Sequence, residues 1–139
     1  MDIFEFRGRA ESRVDERTEE LATRVIGAAI EVHRHLGPGL PEILYRKALS
    51  HELDLRKIRH QCEVPVPIMY KGIHVGDGRI DMLVEDVLIC ELKSVEHLTD
   101  LHRSQALTYL LLRKLQLALL LNFNVVTMKE GIRRVINAH

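Results

Sequence analysis

Tryptophan is absent from this chain of 139 residues, and its other aromatic side chains are few, three tyrosines and three phenylalanines. Acidic and basic residues number 20 each, so the formal net charge is zero and no overall positive field would attract a nucleic acid. Any phosphate binding must therefore depend on a local group of charges. Few aromatic rings and a neutral charge also favour weak or partner-assisted binding of nucleic acid.

Cysteine is also scarce. Cys62 and Cys90 are the only two cysteines, and no secretory signal precedes them, which disfavours a disulfide scaffold and favours a reducing, cytoplasmic location. We expect both thiols to be buried. The chain contains no Cys-x-x-Cys, His-Glu-x-x-His or Gly-x-Ser-x-Gly motif, which argues against zinc sites, metalloproteases and serine hydrolases.

The chain has no uninterrupted apolar run long enough for a membrane span. The most apolar stretch, 106–123, is broken by Arg113, Lys114 and Gln116, so we expect no membrane contact. A hydrophobic content of 46% with 29% charged residues is typical of one globular domain of this length. We place that domain at residues 14–139, preceded by a flexible arm at residues 1–13 that carries Phe4 and Phe6.

Periodicity and turn residues predict an α/β domain in which a mixed sheet is flanked by helices. Gly37-Pro38 should end the first helix, and two prolines confine the first strand to a sheet edge. Lys71-Gly72 and Gly76-Asp77-Gly78 are both turn signals. The expected elements are helices at about 14–36, 41–55 and 99–114, and strands at about 62–70, 80–84, 87–93, 117–123 and 132–136.

Charged residues stand inside two of these apolar strands. With Glu85-Asp86 as the link, facing residues have numbers that sum to about 172, so Asp81 lies opposite Glu91. Lys93 shares their face because side chains alternate along a strand. The opposite face is apolar, and its residues are Met82, Val84, Leu88, Cys90 and Leu92.

Two carboxylates a few ångströms apart repel each other unless a cation lies between them, and hard oxygen ligands suit Mg²⁺ or Mn²⁺. Asp81, Glu91 and Lys93 thus predict a metal-dependent site that cleaves phosphodiesters. The alternative is a solvated, salt-bridged hairpin face, in which opposite charges simply pair across strands. The three residues alone leave both interpretations open.

Further side chains on the predicted helices are candidates. Gln105 and Tyr109 are four residues apart and share a helix face, with His102 within one turn. Glu42 falls at the start of the second helix, where it is either a site residue or a favourable first-turn acid. Ordinary surface amphipathicity is the alternative for Gln105 and Tyr109, and a half-buried helix start is the alternative for His102.

The order of these motifs resembles the PD-(D/E)xK nuclease superfamily and, more narrowly, the small GxxExxY proteins of bacteria and archaea. The name motif of that narrower family matches Gly39-Leu40-Pro41-Glu42-Ile43-Leu44-Tyr45, and the likeness extends over about 21–136. One departure is that Gly78 meets Arg79 directly, where members often carry an aromatic residue between the two. Other similar segments are 26–33, Arg79-Ile80-Asp81, Glu91-Leu92-Lys93, 122–124 and 131–134.

The resemblance implies a restriction-endonuclease-like core and a nuclease that uses Mg²⁺ or Mn²⁺, with DNA as the expected substrate. Asp81 and Glu91 would be the metal ligands, and Lys93 would orient or activate the attacking water. Glu42 would support the metal or its water, while Gln105 and Tyr109 would contact the substrate backbone or steady the site. The alternative is a non-catalytic nuclease-like subunit that binds nucleic acid in a DNA-processing or defence assembly. A homodimer or larger assembly would enlarge the positive surface.

Overall fold

The computed structural model describes residues 14–138, so the expected arm with Phe4 and Phe6 lies outside the described residues. Helix α1 spans Glu16–Leu36. Asp15 caps it by accepting the Thr18 N–H at 2.8 Å, as a helix N-terminus requires. Gly37 ends the helix with a φ of +68°, and its N–H donates to the His33 carbonyl. This end agrees with the sequence prediction.

Helix α2 spans Glu42–Leu55 and begins directly after Pro41, whose fixed φ suits a helix start. Tyr45 joins it to the end of α1. Its hydroxyl donates to the Gly37 carbonyl and accepts the Leu40 N–H, and its ring stacks on Phe123 at 4.6 Å between centroids. The two helices are thereby fixed against the sheet.

The sheet has five strands in chain order, and the third, β3 (Leu88–Lys93), and the fourth, β4 (Leu117–Asn122), are its one parallel pair within the described residues. Helix α3, Asp100–Arg113, makes the crossover between those two strands, as parallel neighbours require. The mixed sheet flanked by helices confirms the predicted fold class. Its strands are β1 (His60–Tyr70), β2 (Ile73–Val84), β3 (Leu88–Lys93), β4 (Leu117–Asn122) and β5 (Ile132–Ile136). A short 3₁₀ turn, Met128–Gly131, precedes β5 and was not predicted.

Both faces of the sheet are covered. Helices α1 and α2 pack on the face that carries Met82, Cys90 and Leu92, and α3 packs on the other face against Leu83 and Ile89. The face of the carboxylates is therefore apolar near the β2–β3 turn and polar only at its far end. Because helices cover both faces of the sheet, β4 is buried along its whole length.

Two sequence expectations were wrong. Gly76-Asp77-Gly78 is not a turn but part of β2, because Lys71-Gly72 alone closes the β1–β2 hairpin, with φ angles of +46° and +84°. Cys62 is exposed on the edge strand, whereas Cys90 is buried as expected. No helix among the described residues is long and apolar enough to cross a membrane.

Candidate functional site

Asp81 and Glu91 lie where the β2–β3 ladder stops. Backbone pairing runs from Val84↔Leu88 to Met82↔Cys90, in the register that the sequence predicted. At the next position, hydrogen bonds between side chains and the main chain replace the backbone pairing. The Asp81 N–H donates to Oε2 of Glu91, and the Leu92 N–H donates to Oδ2 of Asp81, both at 2.8 Å. The two carboxylates are thus fixed side by side through the main chain.

Burial raises the pKa of each carboxyl group, although the main-chain hydrogen bonds oppose the rise. Burial and, next, the charge of Asp81 raise the pKa of Glu91 to about 8, and Glu91 is only 3% exposed. Burial also raises the pKa of Asp81, although the Leu92 N–H and Lys93 oppose the rise. A pair of carboxyls that resists ionisation is one that a cation would stabilise.

Lys93 follows Glu91 on the same strand face and lines the same cleft as the two carboxyls. The cleft has a volume of about 530 Å³ and brings together five of the six predicted site residues. Gln105 and Tyr109 of α3 form its opposite wall. The full lining is Pro65, Asp77, Gly78, Arg79, Asp81, Glu91, Lys93, Gln105 and Tyr109.

Tyr109 fixes the strand that enters the cleft. Its hydroxyl accepts the Arg79 N–H at 3.1 Å, and its ring lies against Gly78, where an added Cβ would come within 2.7 Å of Cε1. The direct Gly78-Arg79 junction noted in the sequence therefore leaves room for this ring. Tyr109 is itself buried, at 7% exposure, so its role in the fold is established independently of any substrate.

Glu42, the sixth predicted residue, does not line the cleft. It is exposed at the first turn of α2, yet partial desolvation and then the charge of Asp81 raise its pKa, while Lys93 and Arg46 lower it. Glu42 therefore belongs to the same electrostatic group as the carboxyl pair without sharing its cavity.

Two charged residues near the cleft were missed by sequence reasoning. Glu63 has a φ of +56°, at a break in the β1–β2 ladder opposite Asp81. Its Oε1 lies 2.9 Å from Arg46 Nη1 and 3.6 Å from Arg79 Nη1. Arg46 is four residues after Glu42, a helical spacing that could have marked it, but no sequence signal indicates the left-handed conformation of Glu63.

His102 is explained by the start of α3. Its Nδ1 accepts the Thr99 N–H, and its own N–H donates to Oγ1 of Thr99, which closes a reciprocal helix cap. Burial, and next the charge of Lys93, lowers the pKa of His102. The imidazole of His102 therefore stabilises the N-terminus of α3, close to Lys93.

The donor set fits a magnesium-like ion that retains most of its water. Among residues 14–138, no group of three or more His, Cys, Asp or Glu side chains is placed to hold a metal ion. Within the same range, no hydrogen bond engages Oδ1 of Asp81 or Oε1 of Glu91. Mg²⁺ commonly binds through one or two carboxylates together with waters and substrate phosphates. Two adjacent carboxylates with an available oxygen each are sufficient for that mode.

A mixed five-stranded sheet between helices, with this acidic pair and lysine at the end of its central hairpin, defines a restriction-endonuclease-like core. A family model of the PD-(D/E)XK nuclease superfamily matches residues 19–135. The chain belongs to that superfamily. A search of the curated proteins found no match, and a search of the solved structures found none.

Proposed function

We propose that the protein is a divalent-metal-dependent nuclease that hydrolyses the phosphodiester bonds of DNA. The observation that carries the proposal is the carboxyl pair with raised pKa values, fixed through the main chain and facing Lys93 in an open cleft. Membership of the nuclease superfamily supports the same activity. The likeness of 39–45 to the GxxExxY motif supports the narrower family assignment.

Asp81 and Glu91 would hold Mg²⁺ or Mn²⁺ through their available oxygens. Such an ion supplies neutralisation of the phosphate charge and makes hydroxide accessible near neutral pH. Lys93 then acts as a fixed ammonium that stabilises developing negative charge. We favour this role over that of a general base because the charge that develops on the phosphate is negative, and a positive side chain stabilises it without transferring a proton.

Three other residues would support the reaction. Tyr109 and Gln105 form the wall that faces the metal site, and Tyr109 holds the main chain at Arg79, so the pair would position a substrate strand along the cleft. Glu42 acts on the charge of Asp81 from α2 and would tune the metal affinity.

A non-catalytic subunit that binds nucleic acid is the second candidate. The neutral net charge favours it, because binding would then need positive surface from a partner or from a second copy of the chain. This candidate predicts binding without product, whereas the nuclease predicts turnover.

The test is cleavage of labelled single- and double-stranded DNA and RNA in Mg²⁺, Mn²⁺ or EDTA. We expect metal-dependent cleavage of DNA that Glu91→Ala and Lys93→Ala abolish. Glu20→Ala and Lys47→Ala are matched controls, since both residues are exposed on helices and neither lines the cleft. Absence of cleavage in every substrate and metal would favour the non-catalytic candidate.

A second measurement addresses Glu42. If this carboxylate tunes metal affinity, Glu42→Gln should raise the Mg²⁺ concentration for half-maximal cleavage by about tenfold and leave the rate at saturation nearly unchanged. Glu20→Gln should change neither value. A lower rate at saturating Mg²⁺ would instead indicate a direct part in the chemical step.

A further inference from the structure

A second cavity, of about 560 Å³, opens beside the predicted active site and shares no lining residue with it. It lies between the loop that follows β3 and the loop that follows β4, with Arg103 of α3 and Arg133 of β5 in its lining. Its volume falls in the range of small-molecule sites. The proposed reaction does not use it.

The cavity is one strand away from the predicted active site. Asn122 lines it and pairs in register with Lys93 on the neighbouring parallel strand, and such strands lie about 4.8 Å apart. Helix α3 contributes to both spaces, with Arg103 in the second cavity and Gln105 in the cleft. The second cavity is therefore the neighbouring space for a strand of substrate that lies in the cleft.

The two arginines of the cavity are preorganised. Nη1 of Arg133 donates to the carbonyls of Glu130 and Ile132, and Nη1 of Arg103 donates to Asp100 at 2.8 Å. The side chain of Arg103 is only 15% exposed. Guanidinium groups held in this way bind a phosphate without first losing side-chain freedom.

The remaining lining suits a nucleobase better than a bare anion. Asn122 is buried and orders the rim through bonds with both the N–H and the carbonyl of Val95. Asn124 is exposed and offers an amide, and Val126 offers an apolar surface. Glu96 and Glu130 also line the space, and their charges disfavour a free phosphate ion while offering acceptors to the amino groups of bases.

We propose that this cavity binds one nucleotide of the substrate strand next to the scissile phosphate, with its phosphate at Arg103 and Arg133 and its base against Asn124 and Val126. This proposal deepens the proposed nuclease function and rests on it for the identity of the ligand. It makes the cavity a subsite that sets the register of the strand in the cleft.

The experiment is an NMR titration of the ¹⁵N-labelled full chain with deoxynucleoside 5′-monophosphates in EDTA, through the millimolar range. We expect saturable shifts at the amides of Asn124 and Val126. Asn124→Asp should weaken binding by about tenfold, since it adds a negative charge where the base and phosphate lie. Val126→Asp, at a position 83% exposed, gives a second variant that does not depend on a buried contact.

Gln61→Glu is the matched control because it makes the same amide-to-acid change on the edge strand β1, and it should bind like the wild type. Inorganic phosphate and the free deoxynucleosides are the other two probes. The proposal is overturned if no shift appears, if both acid variants bind normally, or if phosphate alone binds as tightly as the nucleotide.

Asp81→Asn separates this proposal from the nuclease itself, since it should retain mononucleotide binding while it abolishes cleavage. Cleavage by the wild type without mononucleotide binding overturns the subsite and leaves the nuclease intact. Mononucleotide binding without any cleavage supports the subsite but overturns the nuclease, and the protein would then be a nucleic-acid-binding module.

Discussion

The Tyr109 ring occupies the space that a side chain at residue 78 would need. A Cβ on Gly78 would lie 2.7 Å from Cε1 and 2.9 Å from the hydroxyl oxygen of Tyr109, closer than real Cβ contacts allow. The same hydroxyl accepts the Arg79 N–H. Steric fit, not an unusual backbone conformation, therefore requires glycine here.

Gly78→Ala should lower the free energy of unfolding by about 1 to 3 kcal/mol, because the ring must move and the bond to Arg79 is lost. Gly27→Ala is the matched control. Its Cβ would meet only a flexible arginine end at 3.3 Å, and in the interior of α1 it should stabilise by about 0.5 to 1 kcal/mol. Urea unfolding of both variants would measure the contrast. Equal effects of the two substitutions would refute the steric explanation.

Stability should depend on pH through the carboxyl pair. In EDTA the folded chain keeps the Glu91 proton up to about pH 8, whereas the unfolded chain releases it near 4.5. The folded state then binds more protons between these values, so the free energy of unfolding falls as pH rises across this window. Added Mg²⁺ should restore stability at the upper end.

Glu91→Gln isolates this effect, because the amide oxygen can still accept the Asp81 N–H but carries no charge. We expect the variant to be more stable than the wild type at pH 8 in EDTA. We also expect its free energy of unfolding to change less with pH. Glu20→Gln on the surface of α1 should reproduce the wild-type curve. A wild-type protein that gains stability over the same window in EDTA would contradict the prediction.

Glu63 holds two arginines that a phosphate would attract. Glu63→Gln should release Arg46 and Arg79 while it preserves the size of the side chain and the left-handed backbone. We predict several-fold tighter binding of an oligonucleotide in EDTA, with a steeper dependence on salt. Fluorescence anisotropy would measure it. Glu52→Gln, which releases Arg56 instead, is the control, and equal gains in both variants would exclude a specific role.

The two cysteines should differ sharply in reactivity. Cys62 is exposed and Cys90 is buried, and burial strongly raises the pKa of the Cys90 thiol, which suppresses the reactive thiolate. A thiol reagent should modify one cysteine in the folded protein and the second only in denaturant. Cys62→Ser should abolish the first reaction. Rapid modification of Cys90 in the native protein would show that the core opens easily.

Local patterns in the sequence predicted the part of the site that lies on regular elements. The period-two pattern around Asp81 and Glu91 placed them opposite each other, and the β2–β3 register agrees. Residues 117–121 form one apolar run, and β4, which contains it, is covered on both faces as such a run requires. These features follow from periodicities that the side chains themselves display.

Features that depend on distant contacts could not be predicted. Gly76-Asp77-Gly78 has the composition of a turn but lies in β2. The requirement for glycine at position 78 comes from Tyr109, which is about 30 residues away and packs against it. Glu63 adopts a left-handed conformation that its residue type disfavours. It does so at the break in the β1–β2 ladder opposite Asp81. The wrong expectation for Cys62 has a different origin, because the two prolines had already predicted that β1 is an edge strand, where a residue can be exposed.

The carboxylates at the end of the β2–β3 ladder also hold the two strands together, since each accepts an N–H from the opposite strand. A related chain without nuclease activity would therefore still need hydrogen-bond acceptors at 81 and 91 for folding alone. The ammonium of Lys93 takes no part in that exchange. When related sequences are sorted into active and inactive members, the lysine should thus be the more informative position.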